Sequence, residues 1–267
     1  GAESLESTSA IINRVVSAVP ENVQAVMPTQ RSMQRRIHRA RRKHLPPIPS
    51  SALDIQLDGE WRETCSAEDW VIYNGTTGSG RLIIFCSSRF MQYLGLSDVW
   101  YVHGTFSVTP PHFYQLFTIH VPVQGEILPA AFCLLPNKNQ QTYIEMFSAL
   151  KNQIVHGDFA RDLQIWCCDF EKACMNGIAD VFPGVKIEGC FFHFCQNTWR
   201  HIQADGLAYK YSEDIDFTLE CRMLNTLAFL PATDIDNAFE RLKEVASPDL
   251  EPLVQYFEDT YIAKVVA

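Results

Sequence analysis

The sequence predicts an α/β fold: a mixed five-stranded sheet flanked by helices, with a helical arm before it and an all-helical segment after it. Three observations carry this. Runs rich in β-branched and aromatic residues recur between residues 70 and 192, several of them closed by Gly, Pro or Asn. Helical apolar spacing separates the later runs. From Phe194 onward only helical spacing remains.

Taken in order, Ile11, Ile12, Val15, Val16 and Val19 mark a helix ending near Pro20, and a basic helix follows. Leu45-Pro-Pro-Ile-Pro-Ser cannot continue a helix and sets a boundary. Trp70-Val-Ile-Tyr and Arg81–Cys86 read as strands around a Gly75–Gly80 turn. Ser87–Leu94 reads as a serine-capped helix. Val99–His103, Phe113–Val123 and Ile127–Leu135 are three strands, and Thr142–Ile154 is a helix. Leu163–Cys168 is a fourth core strand running into Asp169, Ala173–Phe182 a helix, and Val185–Phe192 a fifth strand. Helices are expected at Phe194–Ala204, Phe217–Ala228, Ile235–Val245 and Leu250–Tyr261. The implied organisation is a basic leader and linker over 1–49, a strand-helix extension over 50–97, a core over 98–193 and a helical insertion or C-terminal segment over 194–267.

Composition narrows the classes of function. With 47% apolar residues the chain can bury a sizeable core. No run approaches the roughly 18–20 apolar residues that span a bilayer, and Gly1–Leu5 is no secretory signal. An intracellular protein with neither a membrane partner nor a small-molecule substrate is expected. The nine cysteines lack the layout of a disulfide framework, which favours a reducing compartment, cytosol or nucleus. The net charge is −9, but Arg31, Arg35, Arg36, Arg39, Arg41, Arg42 and Lys43 carry +7 without an intervening acid, leaving −16 elsewhere. Such a stretch suits a nucleic-acid contact or nuclear import; a solvated helix face is the alternative.

The order β-β-β-α-β-α-β-α over the core resembles that of the ribonuclease H-like fold. There, carboxylates at the ends of the first and fourth strands hold two Mg²⁺ about 3.5–4 Å apart for phosphoryl transfer. The corresponding places here hold His103 and Asp169. Asp98 precedes its strand, roughly 16 Å from His103 at strand rise, and cannot substitute.

More specific strings carry a family resemblance. Trp100-Tyr-Val-His-Gly-Thr-Phe resembles the strand-one motif of Mutator-like element (MULE) transposases, where an Asp precedes Gly-Thr-Phe. Phe113–His120 and Leu128–Lys138 are similar to the family's next two strands. Cys168-Asp-Phe-Glu-Lys-Ala resembles its second acidic motif, and Gly189-Cys-Phe-Phe-His its Cys-x-x-His motif. Tyr256–Ile262 is similar to the segment before the last catalytic block, whose Glu is expected beyond Ala267. The resemblance covers residues 50–267, and the arm looks similar to the family's leader.

The resemblance implies DNA as partner, self-association, a nuclear location and Mg²⁺ as the ancestral cofactor. It makes Asp169 the second acid and His103 the replacement of the first. An imidazole adds no negative charge and prefers softer metals, so a transposase-derived, inactive domain is expected. An active Mg²⁺-dependent enzyme in a longer form is one alternative. A nucleic-acid-binding module acting through residues 31–43 is another. Asp169 also fits a helix N-cap, Glu171 reads as part of a solvated first helical turn, and the aromatics around the site read as core. Cys190 and His193 have the spacing of a zinc half-site, against a plain buried Cys and hydrogen-bonded His.

Overall fold

The structure, a computed structural model, describes residues 6–43, 47–78, 80–157 and 163–262. Gly1–Leu5, Leu45–Pro46 of the expected proline stop and Ser79 of the expected turn lie outside them. The chain divides into two compact units, residues 1–55 and 56–267.

In the first unit, α1 (Thr8–Ser17), α2 (Glu21–Gln24) and α3 (Gln30–Arg42) are helices. The Ser7 hydroxyl accepts from Ala10 N and caps α1, and Pro20 stands at the N-cap of α2. The proline therefore ends one helix and starts the next, as its missing N–H allows. Thr29 caps α3. Arg41 donates to the Glu6 carbonyl and to Thr8 Oγ1, which ties α3 to α1.

The second unit is built on one seven-stranded mixed sheet: β1 (Val71–Thr77), β2 (Gly80–Phe85), β3 (Val99–Thr105), β4 (Gln115–Val123), β5 (Glu126–Leu135), β6 (Ile165–Cys168) and β7 (Lys186–Gly189). Their order is β1-β2-β5-β4-β3-β6-β7. The expected count of five is thus corrected to seven. The hairpin β1–β2 adds to the core strands because Ile83–Phe85 pair with Phe132–Leu134 of β5. Gly75-Thr-Thr, expected as turn, continues β1 to Thr77, paired with Gly80. Antiparallel pairing joins β1 to β2, β2 to β5, β5 to β4 and β4 to β3; β3–β6 and β6–β7 are parallel.

Helices α4 (Ser88–Leu96), α5 (Gln140–His156) and α6 (Lys172–Val181) contribute to the main core. Trp100 and Trp166, neighbours across the β3–β6 pairing, lie 5.2 Å apart and are buried beside Phe147 and Phe182. Asn139 caps α5 by accepting from Thr142 N. The expected strand to Phe192 ends at Gly189, and α7 (Phe191–Ala204) begins there. The partner strand β6 ends at Cys168, which pairs with Gly189, and the Phe170 ring packs where a Gly189 side chain would be, 2.3 Å from an added Cβ. Helices α8 (Ala208–Glu213), α9 (Ile215–Thr226), α10 (Ala232–Val245) and α11 (Glu251–Phe257) complete a second core with Phe194, Leu224 and Phe239 at its centre. A π-helical segment, Glu258–Ile262, follows α11.

Helices α5 and α6 meet at Gly177, where an added Cβ would lie 2.8 Å from Tyr143 Cβ and 3.5 Å from the Gln140 carbonyl. Neither neighbour is a free side-chain end. Gly177→Val is therefore expected to lower stability by about 2 kcal/mol through overpacking. Urea unfolding checks it; an unchanged midpoint would mean the helices can separate freely.

Candidate active site

Parallel pairing puts the C-terminal ends of β3, β6 and β7 along one sheet edge. Tyr101 pairs with Cys167, and Cys167 with Glu188. Two residues further on, each strand reaches His103, Asp169 and Cys190. Side chains alternate along a strand: Trp100, Val102, Trp166 and Cys168 are buried in the main core, while His103, Cys167 and Asp169 are only partly covered. Asp98 lies at the other end of β3, where its carbonyl accepts from Gln164 N and Ile165 N.

The two principal candidates do not pair. Among the described residues' ion pairs there is none between His103 and Asp169. The His103 ring stacks on His120 instead, with centroids 5.1 Å apart and planes at 16°. Burial holds the His103 pKa below its ordinary value, and His120 and His193 push it further down. His120 is lowered by burial as well, against a backbone hydrogen bond involving Tyr101.

Asp169 leaves β6 in a short turn, and its Oδ1 accepts from Phe170 N at 2.7 Å. It does not cap α6: Glu171 stands at that N-cap, without a side-chain cap bond. Nor is Glu171 a plain solvated residue. Its Oε1 accepts from the Tyr143 hydroxyl at 3.1 Å, and that oxygen accepts from Gln115 Nε2 at 2.8 Å. Burial raises the Glu171 pKa, opposed by Tyr143 and Lys138 and aided by the Asp169 charge. A cavity of about 40 Å³ touches His103, Gly104, Gln115, Asp169 and Glu171. Sequence reasoning passed over Gln115, Tyr143 and His120. The available signal was Gln115, an amide inside an apolar strand, since buried polar groups need partners.

Cys190 is the N-cap residue of α7, and His193 lies in the helix's first turn. His193 acts on His103, whereas Cys190 hydrogen-bonds with Cys167, whose pKa is pushed up to about 11, chiefly by burial. Among the described residues, no group of three or more His, Cys, Asp or Glu is placed to hold a metal, so the zinc spacing finds no completing ligands there. All nine cysteines are free. In the first unit Arg31, Arg35, Arg36, Arg39, Arg42 and Lys43 are exposed on α3, whereas Arg41 is partly buried in its bonds to Glu6 and Thr8.

Asp169 thus follows β6, one strand in from the β7 border of a mixed sheet with helices against it. Residues 99–197 match the family model described as MULE transposase domain. The match runs from the first residue of β3 into α7 and takes in every strand-end residue above. No curated protein matches the chain. No helix among the described residues is long and apolar enough to cross a membrane.

The lowered histidines give a pH signature. The fold favours the neutral rings, whereas unfolded histidine takes up a proton near 6.5. This contribution is complete above that value and is lost as pH falls toward the lowered folded value. The melting temperature is expected to drop between about pH 7.5 and pH 5.5, and to drop less in His103→Gln. Melts of both proteins across that window check it. A constant difference between them would show that burial does not bias the ring.

Proposed function

We propose that this chain is a transposase-derived domain with a ribonuclease H-like core, disabled in DNA cleavage and retaining contacts to DNA. The order β5-β4-β3-β6-β7, with parallel pairing only on the β6 side of β3, supports the core assignment. One observation carries the loss of activity: the place at the end of β3, beside Asp169, is held by His103.

A clamp of two hard divalent ions needs a shell of oxygen ligands, mostly carboxylate. The described residues offer Asp169 and Glu171 here, while His103 is turned against His120. That donor set does not fit a bridged pair. Losing a metal carboxylate removes several kcal/mol of transition-state stabilisation, and each 1.36 kcal/mol is tenfold in rate. The purified chain is expected not to nick supercoiled plasmid in Mg²⁺. Nicking that is abolished by Asp169→Asn would overturn the reading.

The exposed cations of α3 favour a second component, contact with the phosphate backbone, in line with a nuclear location and with self-association on DNA. Replacing Arg31, Arg35, Arg39 and Arg42 by Gln leaves the Arg41 tie in place. The log–log salt slope of duplex binding, read by fluorescence anisotropy, is expected to become shallower by about 3–4. An unaltered slope would remove α3 from the interface.

A further inference from the structure

Helix α9 buries one face and carries an apolar row on the other. Phe217, Cys221 and Leu224 enter the second core. Ile215, Leu219 and Met223 follow one another at four-residue spacing on the far side and are 85%, 57% and 38% exposed. A surface helix ordinarily presents charged and polar residues there, and contiguous exposed apolar surface marks a site of interaction. Both flanks of the helix are occupied: Thr198 of α7 donates to Asn225 on one side, and Ser247 donates to Glu220 on the other. The row between these flanks is uncovered. Two charges border it on opposite sides, Asp216 three residues before Leu219 and Arg222 three residues after it. Both are exposed, and neither forms an ion pair among the described residues.

We propose that this row is the contact surface of a twofold dimer, in which α9 lies antiparallel on α9 of a second copy of the chain with the axis through Leu219. A twofold contact is self-complementary: if one residue meets another, the reverse contact is made as well. An axis at Leu219 sets each position before it against the position equally far after it in the second copy. Leu219 then meets Leu219, Ile215 meets Met223 and Asp216 meets Arg222. The last two contacts occur twice, so the apolar row closes on itself while the one acid and the one base beside it neutralise their counterparts. A parallel arrangement would set Asp216 on Asp216 and Arg222 on Arg222, and like charges juxtaposed across an interface are strongly unfavourable. This charge pattern is what selects a second copy as the occupant, because the face is its own complement once reversed. One helix pair lies at the small end of specific interfaces, so the dimer is weak and reversible. The inference goes beyond the transposase-derived reading and needs neither cleavage nor DNA.

The test is sedimentation equilibrium of the purified chain without DNA over a wide range of concentration, with folding checked by circular dichroism. A reversible monomer–dimer equilibrium is expected. Leu219→Ser removes a leucine from both sides of the contact and should weaken the dimer by about tenfold or more. Asp216→Arg and Arg222→Asp should each be monomeric alone, since each puts like charges face to face. An equimolar mixture of the two should associate, because the mixed pair sets Arg against Asp at both ends. All three positions are exposed, so these variants keep the fold, and the mixture reports pairing even where a single variant loses some stability. Three results would overturn the surface: a wild type that is monomeric at every concentration, association undiminished in Leu219→Ser, or a mixture that stays monomeric. Plasmid nicking decides the disabled assignment separately, so either reading can fail with the other standing.

Discussion

The parallel pairing of β3 with β6 is the constraint on which the rest depends. Three paired positions, Val99–Tyr101 with Ile165–Cys167, decide which residues emerge at the active edge. Trp100 and Trp166 lock that register, each buried and each touching Phe182. Burying an indole removes some 150–250 Å² from water, on the order of 4 kcal/mol of gross driving force at 25 cal/mol per Å². A slip of one residue would turn the tryptophan of the slipped strand to the other face, away from its partner. The same slip would carry His103 and Asp169 away from their shared edge. Core packing and site geometry are therefore set by one register.

That edge combines an acid with a largely uncharged ring. Strand β3 delivers His103 to the edge that carries Asp169, and burial and two further histidines hold its pKa below the ordinary value. The negative charge left in the cavity belongs to Asp169 and to Glu171, which is anchored through Tyr143 and Gln115. Of these two acids, one follows a strand and the other stands at a helix start.

Much of the architecture could be read from the residues. The β-branched runs located every core strand, and helical spacing located α5, α6, α9 and α10, because these signals come from burial on one face. The added pair of strands was seen, but not its membership of the same sheet, since that depends on a long-range pairing between Ile83–Phe85 and Phe132–Leu134. The end of β7 falls earlier than expected because Phe191 and Phe192 read as strand formers, whereas the partner strand β6 ends at Cys168, opposite Gly189. At the site, Asp169 and His103 stood out through their strand-end positions. Gln115 and Tyr143 did not, because their role exists only once β4 and α5 lie side by side. Glu171 looked like an ordinary solvated first-turn acid, and nothing in its local sequence reveals the tyrosine that holds it.

The sheet has two outer strands, β1 and β7, and the latter has a bearing on solution behaviour. Lys186 and Glu188 form an ion pair on a strand only four residues long, which runs straight into α7. A short, charged border offers an incoming chain few backbone groups to zip onto. Backbone pairing with another copy is thereby disfavoured at the margin nearest the acids.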